Sequence, residues 1–81
     1  MPIGNDTEDD VLYTVGDPSD PVPLAKGCYR NEAGLDQGSV VRFWKGTQEL
    51  ASTDPLEAVG SLVVLKRDWQ SYEVGVLTEQ T

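Results

Sequence analysis

The segment Ser61-Leu62-Val63-Val64-Leu65-Lys66 decides the fold class of this chain. It is apolar on both faces, so it reads as a strand buried on both sides at the centre of a sheet. Immediately after it, Arg67-Asp68-Trp69-Gln70-Ser71 has the length of a hairpin connection. Tyr72-Glu73-Val74-Gly75-Val76-Leu77 then places Tyr72, Val74 and Val76 on one face of a following strand. The C-terminal third is thus a β-hairpin.

Working back toward the N-terminus, Asp54-Pro55-Leu56-Glu57 spells one helical turn, with Asp54 as N-cap, Pro55 at the first helical position and Glu57 closing a capping box. Gly60 stops that turn almost at once. Lys45-Gly46-Thr47 is a turn, and Ser39-Val40-Val41-Arg42-Phe43-Trp44 is a strand with Val41 and Phe43 on one face. Asn31 to Gly38 is a loop. Leu24 to Arg30 reads as a short strand with Gly27 marking a bulge or a close approach. The three prolines between Gly16 and Pro23 rule out a helix and any central strand there. Asp10 to Val15 is a strand carrying Val11, Tyr13 and Val15 on one face. The resulting expectation is an all-β fold: a small barrel or sandwich of short antiparallel strands with at most one helical turn.

Residues 1–10 stand apart. They hold four acids (Asp6, Glu8, Asp9 and Asp10), no base and almost nothing apolar. Such a segment is expected to be an extended acidic arm, leaving residues 11–81 as the single β domain. Eighty-one residues make one small core, and a chain of this length buries only about 60–65% of the surface its unfolded form exposes. Association would add to its stability.

The charge narrows the partners. With 14 acidic and 6 basic residues the net charge is −8. Nucleic-acid binding needs Lys and Arg to replace phosphate counterions, so it is disfavoured, as are anionic membranes. Basic or neutral protein surfaces are the expected partners; keeping a small protein in solution would also account for the charge. The N-terminal residues show no signal-peptide pattern, and the longest apolar run is too short to span a bilayer.

The chemistry of catalysis is sparse. The chain has no histidine and one cysteine, Cys28, so His-dependent nucleophilic catalysis and structural zinc are not expected, nor is an internal disulfide. Asp6 to Asp17 lacks the central glycine and terminal glutamate of a calcium loop. No phosphate-cradling glycine motif is present. Cys28, between Gly27 and Tyr29, reads as a small buried hydrophobe. The expectation is a non-enzyme without cofactor or metal.

That leaves contact residues. Trp44 lies beside Arg42 and Lys45, and Trp69 follows Lys66 and Arg67. Trp and Arg are the types most enriched at binding hot spots. Each tryptophan admits a second use, plugging or covering the core with its N–H paired. Asp6, Glu8, Asp9, Asp10, Trp44 and Trp69 are therefore the candidate protein-binding residues.

The stretch Ser39 to Thr47, with Phe43-Trp44-Lys45-Gly46-Thr47, followed by Glu57-Ala58-Val59-Gly60-Ser61-Leu62-Val63-Val64, resembles part of the lambdoid phage head decoration proteins. The likeness covers roughly a third of the chain, and the connection Gln48 to Leu56 is longer here. It implies a non-enzymatic β-rich protein on the outside of a capsid, often a homotrimer, whose N-terminal arm joins the lattice. Localisation would then be the virion, and otherwise the cytoplasm. Two rival expectations stand beside it. One is an acidic inhibitor that mimics nucleic acid and blocks a basic cleft of a nuclease or polymerase complex. The other is an SH3-like adaptor, suggested by the strand start Gly38-Ser39-Val40-Val41-Arg42.

Overall fold

A computed structural model of the chain describes residues 2–17, 19–32, 37–56, 61–68 and 71–78. Two four-stranded sheets pack face to face, and no helix occurs among the described residues. The strands are β1 (Pro2–Asp6), β2 (Val11–Val15), β3 (Val22–Leu24), β4 (Tyr29–Asn31), β5 (Val41–Lys45), β6 (Gln48–Ser52), β7 (Ser61–Asp68) and β8 (Ser71–Thr78). One sheet, A, has the order β4-β1-β7-β8; the other, B, has β3-β2-β5-β6. The all-β expectation holds, and the sandwich is the form it takes.

The strands with the clearest apolar patterns do what those patterns predict. β7 sits inside sheet A between β1 and β8, with Val63 and Leu65 fully buried and Val64 nearly so. Val41 and Phe43 on β5, with Val11 and Tyr13 on β2, supply the facing half of the core. Burying each such side chain is worth about 1.5–3 kcal/mol, which for a small domain is a large share of what holds it together. Leu56 seals the core beyond β6, held in place where Leu56 N donates to Ser39 O (2.9 Å) and Leu56 O accepts from Gly38 N (2.7 Å).

The acidic arm is corrected. Pro2–Asp6 is β1, the strand between β4 and β7, antiparallel to the first and parallel to the second. Among the described residues, β1 with β7 is also the one parallel pairing in a sandwich expected to be wholly antiparallel. Two residues explain how so polar a segment occupies an interior position. Ile3 points into the core and is fully buried. Asn5, also fully buried, has its amide wholly engaged: Nδ2 donates to Leu24 O (3.0 Å) and Asp9 O (2.8 Å), while Oδ1 accepts from Thr7 N (3.1 Å) and Thr7 Oγ1 (2.6 Å). A buried amide with every partner supplied costs little and locks its surroundings in one arrangement. On the opposite face of β1, Gly4 leaves room for the Tyr29 ring, whose Cζ would lie 2.8 Å from a Cβ at that position.

Other local expectations shift. Leu24 to Arg30 is not one bulged strand: a turn with Gly27 at φ +69° separates β3 from β4, with Cys28 N donating to Ala25 O at 3.1 Å. Cys28 is exposed, not buried, because it belongs to that turn. Gln48–Ser52, read as plain connection, is β6, and a bulge between Phe43 and Trp44 re-registers it against β5. Asp54 to Leu56 has no helical structure; Glu57 and Gly60, which the expected turn also needs, lie outside the described residues.

Candidate functional site

Sheet B carries Trp44 on its outward face, opposite Leu12 of β2 and Glu49 of β6 in register. Alternation along β5 forces this: Val41 and Phe43 point inward, so Arg42 and Trp44 point out. The indole is half-buried and fixed, with Nε1 donating to Thr14 Oγ1 at 3.0 Å. A held aromatic ring presents area to a partner with little entropy left to lose.

Two shallow grooves flank that ring. One, of about 260 Å³, is lined by Asp10, Leu12, Pro23, Leu24 and Ala25 together with Trp44. The other, of about 230 Å³, runs between Pro21, Trp44, Gly46 and Thr47. The prolines that excluded a central strand thus supply rigid apolar walls beside the ring. Asp10 stands at the rim, its Oδ1 accepting from Lys26 N at 3.0 Å and its carboxylate otherwise facing solvent. The structure therefore brings two expected contact residues, Asp10 and Trp44, into one surface.

The remaining expected residues divide differently. Asp6 and Glu8 are exposed outside that groove's lining. Asp9 is an internal clamp. Its Oδ2 accepts from the Tyr72 hydroxyl (2.6 Å) and from Arg67 Nη1 (3.1 Å), and its Oδ1 lies 3.7 Å from Lys45 Nζ. Lys45 belongs to sheet B while Arg67 and Tyr72 belong to sheet A, so one carboxylate ties the sheets together at this end. The Arg67 guanidinium lies 5.4 Å from the Tyr72 ring centroid, a cation–π contact that adds to the clamp. The Tyr72 hydrogen bond holds the Asp9 carboxyl below its ordinary value, with Lys45 and Arg67 acting in the same sense. The same bond raises the Tyr72 phenol. Trp69 lies outside the described residues.

The basic residues beside Trp44 are likewise engaged. Arg42 pairs with Glu49 (Nε to Oε1, 3.3 Å) and donates from Nη1 to Gly16 O (3.2 Å). From the core, Tyr13 donates its hydroxyl to Glu32 Oε2 at 2.8 Å; burial first, and that carboxylate second, push its phenol up to about 12.

One further surface was not visible in the sequence. The exposed large apolar residues among those described are Tyr29 (56%), Val76 (41%) and Leu77 (63%), and all three lie on sheet A, on its edge strands β4 and β8. A groove of about 380 Å³ between Ser52–Leu56 and β8 reaches Val74 and Val76. The signal for it is the adjacent pair Val76-Leu77, which puts an apolar side chain on each face of β8. No protein-family model matches the sequence, and no curated protein and no solved structure matches the chain.

Proposed function

We propose that this chain is a non-enzymatic structural or accessory protein that docks onto a larger protein assembly through the Trp44 face of sheet B. The observation that carries the proposal is the Trp44 ring, held by Thr14 between two proline-walled grooves with Asp10 at the rim. An apolar slot beside a fixed aromatic and a single carboxylate suits an extended protein segment that offers an apolar side chain next to a Lys or Arg. A viral capsid decoration role, stabilising a shell by bridging its subunits, is the specific form we favour, from the partial resemblance over Ser39 to Thr47 and Glu57 to Val64. Stabilisation would follow from mass action, since a ligand that binds only the assembled shell favours that shell.

The acidic-arm version of that mechanism is set aside, because residues 2–6 are interior strand and are not free to reach a lattice. Asp9 speaks against the nucleic-acid mimic as well: its charge is already met by Lys45 and Arg67.

The test is native capture from the producing cells followed by mass spectrometry, run with wild type, Trp44→Ala and Asp10→Asn. Asn keeps the acceptor oxygen for Lys26 N and removes only the charge. Capture of a shell or other assembly subunit in near-integral stoichiometry is expected. Trp44→Ala should abolish it, and Asp10→Asn should weaken it about fivefold to tenfold, about 1–1.4 kcal/mol. Unchanged capture by folded Trp44→Ala would sink the proposal.

A further inference from the structure

Four strands lie at the edges of the two sheets, and three of them carry a device that discourages pairing with another chain. β3 is three residues long, contains Pro23 and follows Pro21. β4 is also three residues long, with Arg30 at its centre. β6 is interrupted by the bulge, and its Glu49 is tied to Arg42. β8 has no such device. It runs eight residues in unbroken register against β7, has no proline, and carries one charge, Glu73. At about 3.3 Å per residue it extends roughly 26 Å, against a longest molecular dimension of 33 Å.

We infer that β8 is a self-association edge, at which two copies of this chain pair β8 to β8, antiparallel, about a two-fold axis at Gly75. Sheet A of one copy would then continue into sheet A of the other as a single sheet through the dimer. Three observations select a second copy as the occupant. First, the edge is nearly neutral on a chain of net charge −8: Lys66 stands in register beside Glu73, so like molecules do not repel along this strip. A basic partner would find little there to hold.

Second, the pairing is self-complementary. With Gly75 opposite its own copy, Val74 meets Val76 of the other chain and Glu73 meets Leu77. The residue on the axis has no side chain, and a Cβ there would find no heavy atom closer than 3.9 Å within the chain. The two Glu73 carboxylates end about 13 Å apart along the strands, beyond the roughly 8 Å screening length at physiological salt. Centring the pair on Glu73 would instead set two carboxylates face to face. Third, the groove beside β8 lies under Val74 and Val76, so the partner's Val76 adds an apolar side chain along its open side and extends the core face across the axis.

The experiment is analytical ultracentrifugation of the purified full chain over micromolar concentrations, at about 0.05 and 0.5 M salt. A monomer–dimer equilibrium is expected, tighter at the higher salt because the net charge of each copy is screened. The double variant Val76→Lys, Leu77→Lys alters two exposed side chains and should weaken the dimer at least about tenfold with its circular dichroism unchanged. Should that variant fail to fold, Leu77→Lys alone, at the more exposed position, serves the same comparison. Trp44→Ala should dimerise like wild type, which separates failure of this inference from failure of the docking face. A wild-type monomer at every concentration, a trimer, a dimer that dissociates as salt rises, or a dimer indifferent to the folded lysine variants would overturn the inference.

Discussion

β1 and β8 invert what their compositions suggest. β1, Pro-Ile-Gly-Asn-Asp, has one strongly apolar residue and lies inside sheet A. β8, Ser-Tyr-Glu-Val-Gly-Val-Leu-Thr, is far more apolar and lies at the rim. The difference teaches that an interior position is won by satisfied partners as much as by hydrophobicity. β1 has a ladder on both sides, a single isoleucine in the core, and an asparagine whose four hydrogen bonds knit residues 5–9 to Leu24. β8 has a ladder on one side only, and its surplus apolar surface, Val76 and Leu77, is left facing out. The polar strand is complete within one molecule; the apolar strand is completed by a second.

The sharpest way to break this comparison is at Asn5. Asn5→Ala removes the donor to Leu24 O and Asp9 O and the acceptor for Thr7, leaving buried polar groups unmatched. Each such group costs about 1–3 kcal/mol, so a net loss of about 3 kcal/mol is expected by urea denaturation. That is a large fraction of the roughly 4–12 kcal/mol a domain of this length holds. A loss below about 0.5 kcal/mol would mean that β1 is not the structural strand described here. The lysine substitutions on β8 should cost association and leave the fold unharmed, the opposite response from the neighbouring half of the same sheet.

A smaller effect should appear in acid. Asp9 follows β1 in sequence, and its carboxylate reaches Tyr72 at the start of β8, Arg67 on β7 and Lys45 on β5. Its folded-state carboxyl titrates below the ordinary value of 3.8, chiefly through the Tyr72 hydrogen bond. The unfolded state therefore takes up the proton first. The contribution is complete above about pH 4 and is lost as pH falls through the lower, folded value. Asp9→Asn should flatten the acid limb of the stability–pH curve and leave the slope at neutral pH unchanged, as followed by thermal melts from pH 7 to about pH 2.

The sequence made the apolar half of this molecule legible and hid the polar half. β2, β5, β7 and β8 announce themselves because alternating or continuous Val, Leu, Phe and Tyr residues have one economical use, a strand with a buried face. β1 was hidden because Asn5 and Gly4 act through partners supplied by Leu24 and Tyr29, and no local pattern reports a satisfied amide or an absent Cβ. β6 was hidden because Gln48-Glu49-Leu50-Ala51-Ser52 is a half-exposed hairpin arm whose alternation the bulge disturbs. Among the candidate residues, the outward placement of Trp44 was legible from the alternation along its strand. The clamp made by Asp9 was not legible, because its partners Arg67 and Tyr72 lie 58 and 63 positions away. Separation on that scale is a property of the sheet order, which side-chain chemistry alone does not encode.

The most direct single test of the account is residue-resolved amide hydrogen exchange on the intact chain under native conditions. The amides of β1 that pair with β4 and β7 should exchange as slowly as those of Val63 to Leu65, at the free energy of global unfolding. Exchange of the whole of residues 2–6 at the rate of an unstructured peptide, with β7 still protected, would return this segment to the status of an arm and remove the basis on which β1 and β8 are contrasted.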